Sequence, residues 1–211
     1  MTRGKFIAFE GGEGAGKSTQ AQLLADALAV RGITCTLTRE PGGTAGAEAI
    51  RGLLLSAEGE GWRPRAEALL FAAARSDHVE RLIEPALAQG DWVICDRFVD
   101  SSRAYQGGAG GLRDDDVLDL HELGSGGLLP DLTVLIELAP ANAAARATAR
   151  DGAAADRIGG RDAAYHAQVA ATFAQLAQDE PWRFLRIDGH GAASTVHALV
   201  IAGLQPLLGR A

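Results

Sequence analysis

Residues 11 to 18 read Gly-Gly-Glu-Gly-Ala-Gly-Lys-Ser and match the pattern G-x-x-x-x-G-K-[ST]. The glycines let successive backbone N–H groups turn toward one anion, and the positive end of the following helix dipole adds to the attraction. Lys17 would reach the β- and γ-phosphates of a nucleoside triphosphate, and the Ser18 hydroxyl would ligate Mg²⁺. The motif therefore predicts a loop that binds the phosphates of a nucleoside triphosphate, composed of Gly11, Gly12, Glu13, Gly14, Ala15, Gly16, Lys17, Ser18 and Thr19.

Three other segments, residues 38–44, 70–75 and 96–107, have side chains suited to a nucleotide acceptor. Arg97 could bind a monophosphate through two N–H donors, while Asp96 could hold a magnesium-bound water or orient that arginine. Phe71 and Arg75 stand four residues apart, so a base could stack on the ring while the guanidinium reads its edge. Each feature also has a structural interpretation, either a core ring beside a surface arginine or a salt bridge at a strand end.

These segments must be positioned by alternating strands and helices. Short apolar runs predict strands, and longer stretches with helical spacing predict helices. Such an order predicts an α/β fold, a doubly wound parallel sheet of about five strands flanked by helices, in one domain over residues 1–211. The loops after Glu10, Thr38 and Asp96 should face one cleft, because ligands gather at the carboxyl ends of parallel strands. The predicted strands are 6–10, 33–38, 92–96, 132–138 and 184–187, and the predicted helices are 17–31, 45–56, 65–89 (bent near Pro85), 114–123, 141–150, 163–178 and 193–208, with a glycine-rich loop at 107–111.

The overall composition excludes several classes of protein. A formal net charge of −7 argues against a general nucleic-acid binder, although a local arginine cluster could still hold a small anion. The sequence contains no run of about 20 apolar residues and no apolar signal-peptide core, so we expect a cytoplasmic protein that does not enter a membrane. Cys35 and Cys95 each lie in a short apolar segment and are expected to be buried thiols rather than a disulfide.

In combination, the motifs resemble those of thymidylate kinases over nearly the whole chain. The patterns are F-E-G-x-[DE]-G-x-G-K-[ST]-T at 9–19, T-R-E-P-G-G-T at 38–44, D-R-[FY]-x-x-S-x-x-A-Y-Q-G at 96–107 and P-D-L-T at 130–133. The last three are more diagnostic than the phosphate loop. The resemblance implies a P-loop nucleoside monophosphate kinase that transfers the γ-phosphate of ATP to dTMP, requires Mg²⁺ held near Ser18 and Asp96, and forms a homodimer.

The resemblance also implies roles for individual residues. Arg97 would bind the dTMP phosphate, with Arg39 close to it, and Phe71 would stack on thymine while Arg75 bonds to its edge. Ser102 and Gln106 would lie near the base, and Tyr105 would crowd the sugar C2′ and select deoxyribose. Glu13 would approach the 3′-hydroxyl of the acceptor. The implied acceptor set is therefore Arg39, Phe71, Arg75, Arg97, Ser102, Tyr105 and Gln106, and the implied catalytic set is Lys17, Arg97, Arg157, Arg150 and Glu13.

The segment from about 146 to 162 resembles the short mobile lid of the family. Gly14 stands where some members have a catalytic arginine, so the resemblance assigns this chain to the bacterial type whose lid supplies that arginine. We expect Arg157 to stabilise the transferred phosphoryl group, with Arg150 second. The chain departs from the family pattern at Gly159-Gly160, Ala170, Phe173, Glu137 and Ala139.

Two other functions remain open at this stage. One is a kinase for another nucleoside monophosphate; a purine or ribonucleotide acceptor would need a larger pocket and no bulky group at C2′, so Tyr105 argues against it. A P-loop switch that binds nucleotide without transfer has no need of an acceptor set.

Overall fold

The protein is described by a computed structural model over residues 2–56, 59–139, 142, 143, 145, 146 and 156–209. Its centre is a five-stranded sheet in the order β2-β3-β1-β4-β5, and every neighbouring pair is parallel. The predicted α/β architecture and strand number are confirmed. The strands are β1 (Phe6–Glu10), β2 (Cys35–Arg39), β3 (Trp92–Asp96), β4 (Leu132–Glu137) and β5 (Phe184–Asp188).

Helices cover both faces of the sheet, as parallel strands with helical crossovers require. They are α1 (Lys17–Val30), α2 (Ala45–Leu55), α3 (Pro64–His78), α4 (Glu84–Gln89), α5 (Val99–Ser102), α6 (Asp114–Ser125), α7 (Ala163–Asp179) and α8 (Ala193–Leu208). Of the predicted helix 141–150, the described residues 142, 143, 145 and 146 are helical. Among the helices of the described ranges, none has the length and apolar character needed to cross a membrane.

The core is divided by the sheet. On one face, α1 and α8 pack against the strands around Phe9, Leu24 and Val200. On the other, residues of the α3–α4 region pack against Phe6 and Phe98. All five residues of β1 are buried, so the strand that leads into the phosphate loop is fixed from both faces.

The predicted helix 65–89 is interrupted rather than simply bent. α3 ends at His78, a π-helical turn covers Val79–Ile83, and α4 continues from Glu84. Pro85 explains the interruption, because proline has no N–H to donate to a carbonyl four residues earlier and its ring crowds that carbonyl. The wider π-helical turn accommodates it within a continuous helical path.

A second π-helical segment, Arg103–Ala109, replaces the first half of the predicted glycine-rich loop. In this segment a glycine is needed for close packing between helices and not for a turn of the chain. A Cβ on Gly108 would lie 2.0 Å from Oγ1 of Thr172 on α7, so only glycine lets the two helical segments approach. The segment contains Tyr105 and Gln106 and therefore positions part of the acceptor set.

Candidate active site

The phosphate loop leaves the buried end of β1 and enters α1 at Gly16, whose φ of 98° is in the left-handed region that favours glycine. Lys17 folds back over the loop, and its Nζ donates to the Gly12 carbonyl at 2.8 Å. Burial lowers the pKa of Lys17 to about 8, and the nearby Arg97 acts in the same direction. An anion in the loop would favour the charged ammonium, because an opposite charge at contact distance raises an amine pKa.

Ser18 and Asp96 meet at the carboxyl edge of the sheet. The Ser18 hydroxyl donates to Oδ2 of Asp96, and Oδ1 of Asp96 is buried without a hydrogen-bond partner in the described part of the chain. Mg²⁺ prefers hard oxygen ligands and is usually held by one or two protein groups together with substrate phosphates and water. One hydroxyl and one carboxylate with an unsatisfied oxygen fit that requirement.

A cavity of about 350 Å³ opens beside the phosphate loop. It brings together side chains from the loop after β1, from the ends of β2 and β3 and from α3 and α5, as predicted for one cleft at this edge. Glu13, Lys17, Ser18 and Asp96 line its donor side. Every residue of the predicted acceptor set lines it as well: Arg39, Phe71, Arg75, Arg97, Ser102, Tyr105 and Gln106.

Arg97 lies where the two sides of the cavity meet. Its Nη2 donates to Oε1 of Glu13 at 2.5 Å, its Nη1 donates to Oγ of Ser101 at 3.1 Å, and its guanidinium lies 5.0 Å from the centre of the Tyr105 ring. The Tyr105 hydroxyl donates to the same Glu13 oxygen at 3.1 Å. Burial lowers the pKa of Arg97, but Glu13, Tyr105, Asp96 and Glu10 together outweigh that effect and the pKa is raised. The arginine is therefore a permanent cation.

The backbone of Arg97 is also unusual. Its φ is 72°, the one positive value of a non-glycine residue within the described ranges. A side chain in this region costs free energy unless neighbouring contacts hold it there. Those contacts come from Glu10, the last residue of β1, whose Oε1 accepts from the N–H groups of Phe98 at 2.8 Å and Ser101 at 3.0 Å. Its Oε2 accepts from the Ser101 hydroxyl at 2.6 Å.

Glu10 is fully buried, and burial raises its pKa to about 7, with the nearby Asp100 carboxylate adding to the shift. The motif at residues 9–19 contains this glutamate but assigns it no role. A signal was present in the sequence, because a glutamate inside a run of Phe, Ile and Ala must find partners when the strand is buried. What the sequence could not show is that the partners are the backbone N–H groups that follow Arg97.

On the far side of the cavity, Arg75 is 3% exposed and is held by several acceptors. Its Nε donates to Oε2 of Glu40 at 2.7 Å and its Nη2 to Oγ of Ser102 at 2.8 Å. Its guanidinium also lies 5.3 Å from the centre of the Phe98 ring. Phe71, one helical turn earlier, is partly buried and packs in the cluster that includes Tyr105. Ring and guanidinium thus border the same cavity, as their spacing predicted.

The remaining acceptor residues are anchored through carboxylates. Nε2 of Gln106 donates to Oε1 of Glu67 at 2.9 Å, and Glu67 also accepts from Arg161. Arg39 donates to Oε1 of Glu48 at 2.9 Å. The cavity is consequently walled by charged and polar groups whose orientations are largely set.

Two arginines of the 146–162 segment, Arg157 and Arg161, have different surroundings. The hydrogen bonds described for Arg157 go to the connection after α2, with Nε donating to the Ser56 carbonyl at 2.7 Å and Nη2 to the Gly59 carbonyl at 3.2 Å. Arg161 instead lines a second cavity of about 380 Å³ together with Gly11, Gly12 and Glu13 of the phosphate loop. Arg150 lies outside the described residues. The predicted contact of Arg157 with the transferred phosphoryl group stays a prediction.

Comparison with known proteins identifies the family. The family model described as thymidylate kinase matches residues 9–200. The chain belongs to the thymidylate kinase family. It is 53% identical to the thymidylate kinase of Rhizorhabdus wittichii over 205 residues, which is 97% of this chain and 99% of that protein. It is 48% identical to the thymidylate kinase of Rhodopseudomonas palustris over 98% of this chain and 91% of that protein.

A solved structure supports the same assignment. The crystal structure of thymidylate kinase from Ehrlichia chaffeensis matches with a TM-score of 0.78 and 33% identity, covering 96% of this chain and 99% of that one. Family membership confirms the predicted resemblance and the predicted class of enzyme, a nucleoside monophosphate kinase that transfers a phosphoryl group. The roles of individual site residues and the single-domain boundary remain predictions.

Proposed function

We propose that this chain transfers the γ-phosphate of ATP to dTMP, giving dTDP and ADP. The observation that supports this best is the shared cavity, in which Lys17 and Ser18 of the phosphate loop face the same space as Phe71, Arg75 and Arg97. A kinase must hold donor and acceptor within bonding distance, because positioning supplies much of the rate. A nucleotide switch has no use for the second group of residues.

The acceptor would lie across the cavity from Arg97 to Arg75. Arg97 would bind the dTMP phosphate through its fork of N–H donors, with Arg39 nearby. Phe71 would stack on thymine, and Arg75 would donate to its edge. The set is completed by Ser102 and Gln106 near the base, Tyr105 against the sugar C2′ and Glu13 near the 3′-hydroxyl.

Transfer moves negative charge between two phosphates, so cations must surround the reacting groups. Lys17 would contact the β- and γ-phosphates, and Ser18 and Asp96 would hold Mg²⁺ between them. When bound, the ion offsets charge on the phosphate oxygens. Arg157 is the first candidate for contact with the transferred phosphoryl group, and Arg150 is the second. To make that contact, Arg157 would exchange its hydrogen bonds to the Ser56 and Gly59 carbonyls for hydrogen bonds to phosphate oxygens.

The test is ADP release from ATP and Mg²⁺ with a panel of acceptors: dTMP, dUMP, UMP, CMP, AMP and GMP. We expect the highest kcat/KM with dTMP and loss of activity when Mg²⁺ is chelated. Preferred turnover of a ribonucleotide or a purine nucleotide would refute the assignment. ATP hydrolysis that does not depend on any acceptor would indicate a switch.

We further propose a cytoplasmic homodimer whose partners are ATP and dTMP, with no nucleic-acid or membrane partner. Cys35 and Cys95 are both free thiols, which fits a reducing compartment. Leu53, Leu69 and Leu123, on α2, α3 and α6, are 54%, 55% and 87% exposed, and an interface would cover such side chains. Light scattering on the purified chain should give twice the monomer mass of 21.9 kDa.

A further inference from the structure

A chain of buried polar side chains runs from Thr38 on β2 to Arg75, and its Glu40 lines the acceptor cavity beside Arg75. Oγ1 of Thr38 is 2.8 Å from Nε2 of His78, Nδ1 of His78 is 3.1 Å from Oε1 of Glu40, and Oε2 of Glu40 accepts from Nε of Arg75 at 2.7 Å. His78 is 0% and Glu40 6% exposed. Gly43 closes over the start of this chain, since a Cβ there would lie 2.5 Å from Oγ1 of Thr38 and 2.6 Å from Nε2 of His78.

These contacts leave Arg75 little freedom. Glu40 holds Nε, and Ser102 and the Phe98 carbonyl, at 2.8 and 3.4 Å, hold Nη2. Within the described part of the chain, Nη1 has no hydrogen bond, and Arg75 lines the acceptor cavity. The guanidinium is planar, so fixing Nε and Nη2 also fixes the direction of the remaining donors.

The charge on Glu40 depends on the same neighbours. Burial would raise its pKa, but Arg75 and then His78 outweigh burial and the pKa is lowered, so Glu40 is an anion at neutral pH. A carboxylate facing Nδ1 requires the proton of the imidazole on that nitrogen. His78 therefore holds one oxygen of Glu40 while Arg75 takes the other, and the carboxylate cannot rotate away from the arginine.

We propose that Glu40 and His78 are positioning residues that set the orientation of Arg75, and through it the selectivity for the base of the acceptor. The proposal rests on the proposed function, in which Arg75 donates to the thymine edge. Thymine presents the O4 acceptor where cytosine presents an amino donor. A rigid arginine donor distinguishes the two, whereas a loosened one accepts either more readily.

A matched pair of substitutions at His78 isolates the contact with Glu40. In His78→Asn the side-chain amide lies near the position of Nδ1 and can still donate to Glu40. In His78→Gln the amide lies near the position of Nε2 and can pair only with Thr38. Both remove a similar part of the buried ring, so their losses of stability should be comparable, and thermal unfolding checks this.

The readouts are KM for dTMP, KM for ATP and the ratio of kcat/KM for dTMP to that for dCMP. We expect His78→Gln to raise the KM for dTMP by on the order of tenfold and to lower the dTMP:dCMP ratio, because a weakened charged hydrogen bond has about that effect. His78→Asn should stay near the wild type, and the KM for ATP should not change in either. Equal effects of the two variants, or no effect of either, would overturn the proposal.

Two further variants separate this proposal from the function on which it rests. Arg75→Ala should raise the KM for dTMP more than His78→Gln does; if it does not, Arg75 is not the group being positioned and the proposal fails while dTMP kinase activity stands. Glu40→Gln can keep its packing if the His78 proton moves to Nε2, yet it loses the charge that holds Arg75. It should therefore fold and still show the lower dTMP:dCMP ratio, and a wild-type ratio in the folded variant would contradict the role of Glu40.

Discussion

Glu10 offers a quantitative prediction, because its raised pKa couples stability to pH. The ordinary value for a glutamate is 4.5, and burial raises the pKa of Glu10 to about 7. Between these values the folded chain keeps a proton that the unfolded chain has released. Stability therefore falls as pH rises through this window and stays lowered above pH 7.

The magnitude follows from the two pKa values. Each unit of pKa difference corresponds to about 1.4 kcal/mol, and from pH 5 to pH 8 this one group costs the folded state about 2.5 kcal/mol. Glu10→Gln removes the titration, and Gln can still accept from Phe98 and Ser101 through its carbonyl oxygen. The difference in free energy of unfolding, variant minus wild type, should therefore move in favour of the variant by about 2.5 kcal/mol over that range.

The assay is urea unfolding of both proteins at half-unit steps of pH from 5 to 8. Other titrating groups are common to both chains and cancel in the difference. If the difference in free energy of unfolding between the two proteins does not change with pH, Glu10 titrates with its ordinary pKa. If instead the wild type gains stability relative to the variant as pH rises, the N–H donors of Phe98 and Ser101 outweigh burial and lower the pKa of Glu10. That result would refute the reasoning from desolvation.

Three further predictions concern the reaction. Lys17→Ala should abolish transfer while leaving dTMP binding by calorimetry largely intact, and Lys5→Ala, the other lysine of the chain, which pairs with Asp131 at 3.1 Å, should leave activity unchanged. Arg97→Ala should weaken dTMP binding by about 100-fold, since a bidentate charged contact is lost, and ATP binding much less; equal losses would contradict its assignment to the acceptor phosphate. Arg157→Ala should lower kcat on the order of 10³-fold with little change in KM if it contacts the transferred phosphoryl group, and a larger loss in Arg161→Ala would transfer that role to the arginine beside the phosphate loop.

The sequence predicted the parts of the site that depend on local order. Glycines after β1, a lysine at the start of α1 and an Asp-Arg pair at the end of β3 can be recognised because parallel strands bring their carboxyl ends to one edge. Phe71 and Arg75 were paired correctly with one cavity because helical spacing is a local property.

The sequence could not reveal how the buried charges are satisfied. Glu10 binds backbone groups at 98 and 101, and Glu40 binds side chains at 75 and 78. Such contacts join residues far apart in the chain, and nothing in local spacing specifies them. The π-helical turn at Val79–Ile83 was also missed, since proline predicts an interruption of a helix without specifying how the hydrogen bonds rearrange.

The contact between Glu13 and Arg97 joins the phosphate loop to the acceptor side of the cavity. Glu13 belongs to the phosphate loop, yet its Oε1 accepts from both Arg97 and the hydroxyl of Tyr105 on the acceptor side. An acceptor phosphate that binds Arg97 must share that guanidinium with Glu13, so the acceptor phosphate is drawn toward the loop that holds ATP. The same carboxylate fixes Tyr105 close to where the sugar would lie. With the roles proposed for Arg97 and Tyr105, selection of the acceptor and its placement against the donor would both depend on Glu13, and in this way an acidic residue inside a phosphate-binding loop would serve catalysis.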